Sequence, residues 1–156
     1  MDLKQLYQDI ILEHGKSPRN LGKCEGYSHE AKGYNPLCGD RVHVYLKLDT
    51  GKKVENLTFE GDGCAISLAS ASIMTELVKG RSINDAKEIM SAFLNMIKNT
   101  SEMKSNHLDE DQKTKIMSLS GVKQFPMRVK CATLSWHTLN SAMDGKKEEV
   151  NTEAID

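Results

Sequence analysis

The chain has 156 residues, 38% hydrophobic and 28% charged, with a formal net charge of −1 at pH 7. That length supports one domain with its own core, and the near-neutral balance without a basic block argues against a nucleic-acid partner. The longest small and apolar run, Cys64 to Met74, is too short to span a bilayer. Met1-Asp2-Leu3-Lys4 lacks the apolar stretch of a signal peptide, so no membrane association is expected and the cytoplasm is the expected location.

Leu3, Leu6, Tyr7, Ile10, Ile11 and His14 recur at helical spacing, with Asp2 and Gln5 approximating a capping box and Gly15 as a stop. His14 reads as a C-terminal helix residue facing the dipole. Lys16 to Gly22 reads as a loop and Cys24 to Tyr34 as a first strand. Val42, Val44, Leu46 and Leu48 then alternate with His43, Tyr45, Lys47 and Asp49, the period of a half-buried strand. Thr50-Gly51-Lys52 supplies a turn, and Val54 to Glu60 returns as the hairpin partner. Asn35-Pro36-Leu37-Cys38-Gly39-Asp40 enters this hairpin and Gly61-Asp62-Gly63-Cys64 leaves it. A hairpin joins its open ends, so Cys38, Asp40 and Cys64 are expected on one edge of the sheet.

Cys64 to Lys79 is apolar or small on nearly every face, the mark of a buried central helix, with Ser67, Ser70 and Ser72 permitting close packing. Cys64 at its first turn would feel the positive end of the dipole, which favours thiolate. Ser82 and Asp85 start a further helix with the stripe Ala86, Ile89, Met90, Phe93, Leu94 and Ile97. Ser101 to Ser118 reads as a polar surface excursion with a short helix ending near Ile116. Pro126 suits the first turn of the last helix, whose core stripe is Val129, Ala132, Trp136, Leu139 and Met143. At about 100° per residue, Cys131 lies roughly 120° from the centre of that stripe, which favours a surface or cleft position. Residues 1–143 are expected as a single domain and 144–156 as a charged tail that frays.

Four cysteines in a reducing compartment suit metal or sulfur chemistry better than disulfides. Three sulfurs and one carboxylate, from Cys38, Asp40, Cys64 and Cys131, would make a tetrahedral zinc set or one edge of an iron–sulfur cluster. From spacing alone the alternative stays open that the cysteines are separate core residues and Asp40 a turn residue. Cys24 lacks a matching partner and reads as structural or incidental. His29, His43, His107 and His137 belong to no motif and read as solvated.

Asn35-Pro-Leu-Cys38-Gly-Asp40, Gly61-Asp-Gly-Cys64-Ala-Ile-Ser-Leu-Ala-Ser70 and Arg128-Val-Lys-Cys131-Ala-Thr-Leu-Ser-Trp136 together resemble the IscU/SufU family of iron–sulfur cluster assembly proteins. Lys130, where IscU scaffolds carry histidine, and the lengthened 101–118 segment point to the SufU branch. The resemblance implies an α+β fold, a small antiparallel sheet of about three strands with helices packed on it and the metal site at one end. It also implies zinc bound by Cys38, Asp40, Cys64 and Cys131, with Cys38 accepting persulfide sulfur from a SufS-type cysteine desulfurase and passing it to downstream assembly components. Arg128 is expected to steer that partner or to stabilise developing charge at the reacting centre. The alternatives are a scaffold for [2Fe–2S] assembly, against which Lys130 counts because an ammonium is a poor ligand, and a purely structural zinc module.

Overall fold

A computed structural model of the chain describes residues 2–99, 105 and 107–155. Its framework is the expected hairpin, now β2 (Asp40–Leu48) and β3 (Val54–Asp62), with β1 (His29–Asn35) antiparallel on the other side of β2. Val42, Val44 and Leu46 face inward, as the alternation requires. On β3, Val54 and Leu57 are three residues apart and both fully buried. A register shift at Lys47/Leu48 opposes Leu48 to Val54 and leaves Glu55 out of the ladder, so the strand changes face there. Asp49 Oδ1 accepts the N–H groups of Gly51 and Lys53, which closes the turn. Tyr45 departs from the pattern. It points to the outer face, yet stacking of His43 at 4.1 Å and the edge of Tyr27 at 5.2 Å bury it.

Five α-helices cover one face of the sheet among the described residues: α1 (Leu3–Lys16), α2 (Ala65–Val78), α3 (Ile83–Lys98), α4 (Glu110–Ser118) and α5 (Pro126–Met143). Asp2 and Ser82 cap α1 and α3 as expected, each accepting an N–H three residues on. α5 lies across β1 and β2, α2 packs on α5 and β3, and α1 packs on α2. Gly33 permits the closeness of α5 to β1, because a Cβ there would lie 2.1 Å from Thr138 Oγ1. Phe93 stacks on Trp136 at 4.2 Å, and the Trp136 indole N–H donates to Ser70 Oγ at 2.9 Å. α2 is buried nearly all round, as its composition indicates. α5 is too, which its single apolar stripe does not predict. Thr133 and Thr138 bond back to the carbonyls of Val129 and Leu134, so hydroxyl-bearing faces of the helix can also be buried.

Three expectations are corrected. The 101–118 segment is more than a surface excursion. Residues 101–104 and 106 lie outside the described ones, but Asp109 and Gln112 form a capping box for α4, and Ile116 is fully buried beside Leu119. The tail adds a fourth strand, β4 (Val150–Asn151), parallel to β1, giving the order β3-β2-β1-β4 in a mixed sheet. Thr152 after it is buried rather than frayed. No helix among the described residues is long and apolar enough to cross a membrane.

His14 is the third correction: it is fully buried. Ser72 Oγ accepts the Arg19 N–H at 2.8 Å, and with the His14 ring proton on Nε2 toward the Glu76 carboxylate its hydroxyl donates to His14 Nδ1 at 2.7 Å. Nε2 faces Glu76 at 3.7 Å. Burial, helped by Arg19, holds the imidazole below its ordinary value. A depressed histidine is neutral in the folded state while the unfolded chain takes up a proton, so stability is full above about pH 6.5 and falls as pH drops below it. His14→Asn, which keeps an acceptor for Ser72, should flatten the acid-side fall of the urea midpoint. Equal slopes in the two proteins would exclude His14 as a source of that fall.

Candidate metal centre

Asn35 and Asp40 are paired across β1 and β2, and Pro36 to Gly39 form the turn between them. Gly39 sits at φ +71°, a left-handed conformation that a side chain would strain. The turn projects Cys38 into solvent, whereas Asp40, the first residue of β2, points inward and is fully buried. Arg41 pairs with Asp62, which brings the end of β3 beside this turn. Gly63 then meets two demands: its φ is +144°, and a Cβ there would sit 2.2 Å from Asp40 Oδ1. The missing side chain lets the chain pass over the carboxylate, and the Cys64 N–H donates to Asp40 Oδ1 at 2.8 Å. Cys64 is the N-cap of α2. Cys131 arrives from α5, buried at 2% exposure.

Cys38, Asp40 and Cys131 converge, with Cys64 at the edge of the group and farther than 4.8 Å from at least one of the other donor atoms. The donor atoms of Cys38, Asp40 and Cys131 lie within 4.8 Å of one another. Cys131 Sγ is 3.2 Å from Cys38 Sγ, and Cys64 Sγ is 3.9 Å from Asp40 Oδ2. Sulfur and oxygen ligands on one tetrahedral zinc would be separated by about 3.6–3.8 Å, from bond lengths near 2.3 and 2.1 Å. The observed separations bracket that range. Both oxygens of the buried Asp40 take neutral N–H donors, from Cys64 and Asn35. A carboxylate enclosed among three thiols is a surplus of acid groups that a divalent cation would neutralise. The donor set therefore fits zinc.

Electrostatics divide the sulfurs. A hydrogen bond from Cys131 lowers Cys64 to about 7, against the opposing effect of burial, and the Ser67 and Ile66 amides at the start of α2 add to the lowering. Cys131 is pushed up as the donor to Cys64, with burial and Asp40 adding to the rise. The two sulfurs titrate as a pair, with the first thiolate centred on Cys64.

Cys24, buried near Asn56 Nδ2 at 3.5 Å, is at the other end of β3 from this cluster. Arg128 is one turn before Cys131 and exposed. Its guanidinium lies 4.3 Å over the Phe125 ring. Burial raises Tyr7, Arg128 opposes that, and the charges of Cys64 and Cys131 add to the rise. Lys130 turns toward the tail and pairs with Glu153 at 3.1 Å. Of the histidines, His107 lies against the carboxylates of Asp85 and Glu88 and His43 against that of Glu30, rather than free in solvent.

Asn35 is the site residue that sequence reasoning passed over. Its amide donates to Asp40 Oδ2 at 3.1 Å and to Cys131 Sγ at 3.5 Å. The available signal was its position five residues before Asp40, where a hairpin turn would set it opposite the carboxylate.

A family model described as NifU-like N-terminal domain matches residues 6–132. The chain is 42% identical over 148 residues to the zinc-dependent sulfurtransferase SufU of Bacillus subtilis, covering 95% of each chain. It is 35% identical over 141 residues to the iron–sulfur cluster assembly scaffold protein IscU of Streptococcus pyogenes, covering 90% of this chain and 84% of that one. In structure it resembles the SufU of Fervidobacterium islandicum, with a TM-score of 0.78 and 37% identity over 89% of this chain and 97% of the other.

Proposed function

Because this chain belongs to the family of NifU-like N-terminal domains, we propose that it is an iron–sulfur cluster assembly protein. In this role it acts as a zinc-dependent sulfurtransferase: it accepts persulfide sulfur from a SufS-type cysteine desulfurase and hands it on to the assembly machinery. One observation carries this choice: of the three clustered cysteines, only Cys38 is exposed, on a glycine-hinged turn.

Cys38, Asp40, Cys64 and Cys131 would hold the metal, and bound zinc would keep their sulfurs as thiolates at neutral pH. Cys38 is free to swing outward about Gly39, whereas Cys131 is locked in a helix buried nearly all round. The Cys38 Sγ attacks the terminal sulfur of the donor's persulfide. A new S–S bond forms, the donor's S–S bond breaks, and the donor cysteine leaves as a thiolate while the transferred sulfur keeps its proton. Atoms and electrons balance without an external oxidant. In this reading Arg128, exposed beside Phe125, steers a partner toward this edge.

The test is single-turnover transfer of labelled sulfur from the desulfurase, together with the metal and acid-labile sulfide content of protein purified anaerobically. About one zinc per chain, no sulfide and label on the protein are expected. Iron and sulfide in equal amounts would assign the scaffold role instead. Zinc without label would leave a structural module.

A further inference from the structure

The C-terminal segment reaches the metal centre through one buried amide. β4 sets Val150 and Asn151 beside Gly33 and Tyr34 of β1, which delivers Thr152 alongside Asn35. Thr152 Oγ1 donates to Asn35 Oδ1 at 2.9 Å, and both residues are buried at 2% exposure or less. The two hydrogens of Asn35 Nδ2 go to Asp40 Oδ2 and Cys131 Sγ. An ionised carboxylate only accepts, so the NH2 must face Asp40 and the amide oxygen must face Thr152. Lys130, adjacent to Cys131, is tied to Glu153 of the same segment at 3.1 Å.

We infer that Val150–Ile155 is a strap that sets the metal centre through Asn35, with Thr152 orienting the amide that holds Asp40 and Cys131 in place. Asn35 and Thr152 are positioning residues, an assignment that rests on Asp40 and Cys131 being metal ligands. Without the Thr152 hydroxyl the Asn35 oxygen is buried unpaired, and the amide gains freedom to turn its oxygen toward the carboxylate and the sulfur. Outer partners of this kind orient ligands, and their loss typically costs about 10–100-fold in metal affinity.

The experiment uses the full chain with Thr152→Val, which exchanges a hydroxyl for a methyl of the same shape, Thr152→Ser, which restores the hydroxyl, and Asn35→Asp. Zinc affinity is measured by competition with a chromophoric chelator, and the centre is read from the thiolate charge-transfer and d–d bands of the cobalt(II)-loaded protein. Thr152→Val should weaken zinc by about tenfold and shift the cobalt bands, and Thr152→Ser should return both toward wild type. Asn35→Asp, which sets a second carboxylate against Asp40, should weaken zinc by about a hundredfold. Wild-type affinity and an unshifted spectrum in Thr152→Val would overturn the strap while leaving the ligand set intact. Failure of the wild-type chain to bind either metal would overturn the ligand set, and the strap with it.

Discussion

Replacing Cys38 by alanine should leave the fold standing and lower uptake of labelled sulfur from a cysteine desulfurase by at least about a hundredfold. Its side chain is exposed on a turn and lies outside the hydrophobic core, so the metal-free variant should unfold within about 0.5 kcal/mol of wild type. Cys38→Ser should behave alike, because a hydroxyl at neutral pH supplies almost no nucleophile. The contrast is with Cys131→Ala, which removes a buried side chain and the sulfur acceptor of Asn35. That change should harm the centre itself. Mass spectrometry of the intact chain reads the outcome as the gain of one sulfur atom. A Cys38→Ala chain that still gains it would move the acceptor to Cys64, the sulfur lowered to about 7.

Removing zinc should lower the melting temperature by about 8–16 °C. At free metal near a thousand times its dissociation constant, binding to the folded state alone adds about 4 kcal/mol. For a chain of this size each kcal/mol moves the midpoint by about 2–4 °C. The proposed ligands would make the effect global, since they lie on the β1–β2 turn, the β3–α2 junction and α5, elements up to 93 residues apart. Calorimetry with and without a strong chelator measures it, and restored zinc should restore the midpoint. An unchanged midpoint in protein shown to lose its metal would mean that the folded chain binds zinc no more tightly than the unfolded one, and would count against the four residues as a ligand set.

Much of the site was legible because it depends on short-range rules. The period-two alternation from Val42 to Leu48 implies the hairpin, and a hairpin brings its ends together wherever it sits in the fold, so Cys38, Asp40 and Cys64 share an edge. Gly63 shows how a local letter can have a distant cause: its φ could be met by any sharp turn, but its lack of a Cβ is required by Asp40, 23 residues earlier. Cys131 sits off the apolar stripe because it faces the other sulfurs rather than the core, although it is buried rather than in an open cleft. The direction of Arg128 could not be read from its helix position, since stacking on Phe125 helps to set it.

By itself the sequence determined the hairpin, the helix starts at Asp2 and Ser82, the all-round burial of α2 and the edge on which three of the four site residues meet. Periodicity, capping and turn chemistry act over a few residues and are written in the order of the letters. Only the tertiary structure decided that His14 is buried against Ser72, that α5 is enclosed on its hydroxyl-bearing faces, and that Thr152 reaches Asn35 across 117 residues. Each is a polar group that looks solvated when its neighbours in sequence are the only ones known. It becomes a core residue once a partner from a distant element satisfies its hydrogen bonds, because burial is tolerated where those bonds are met.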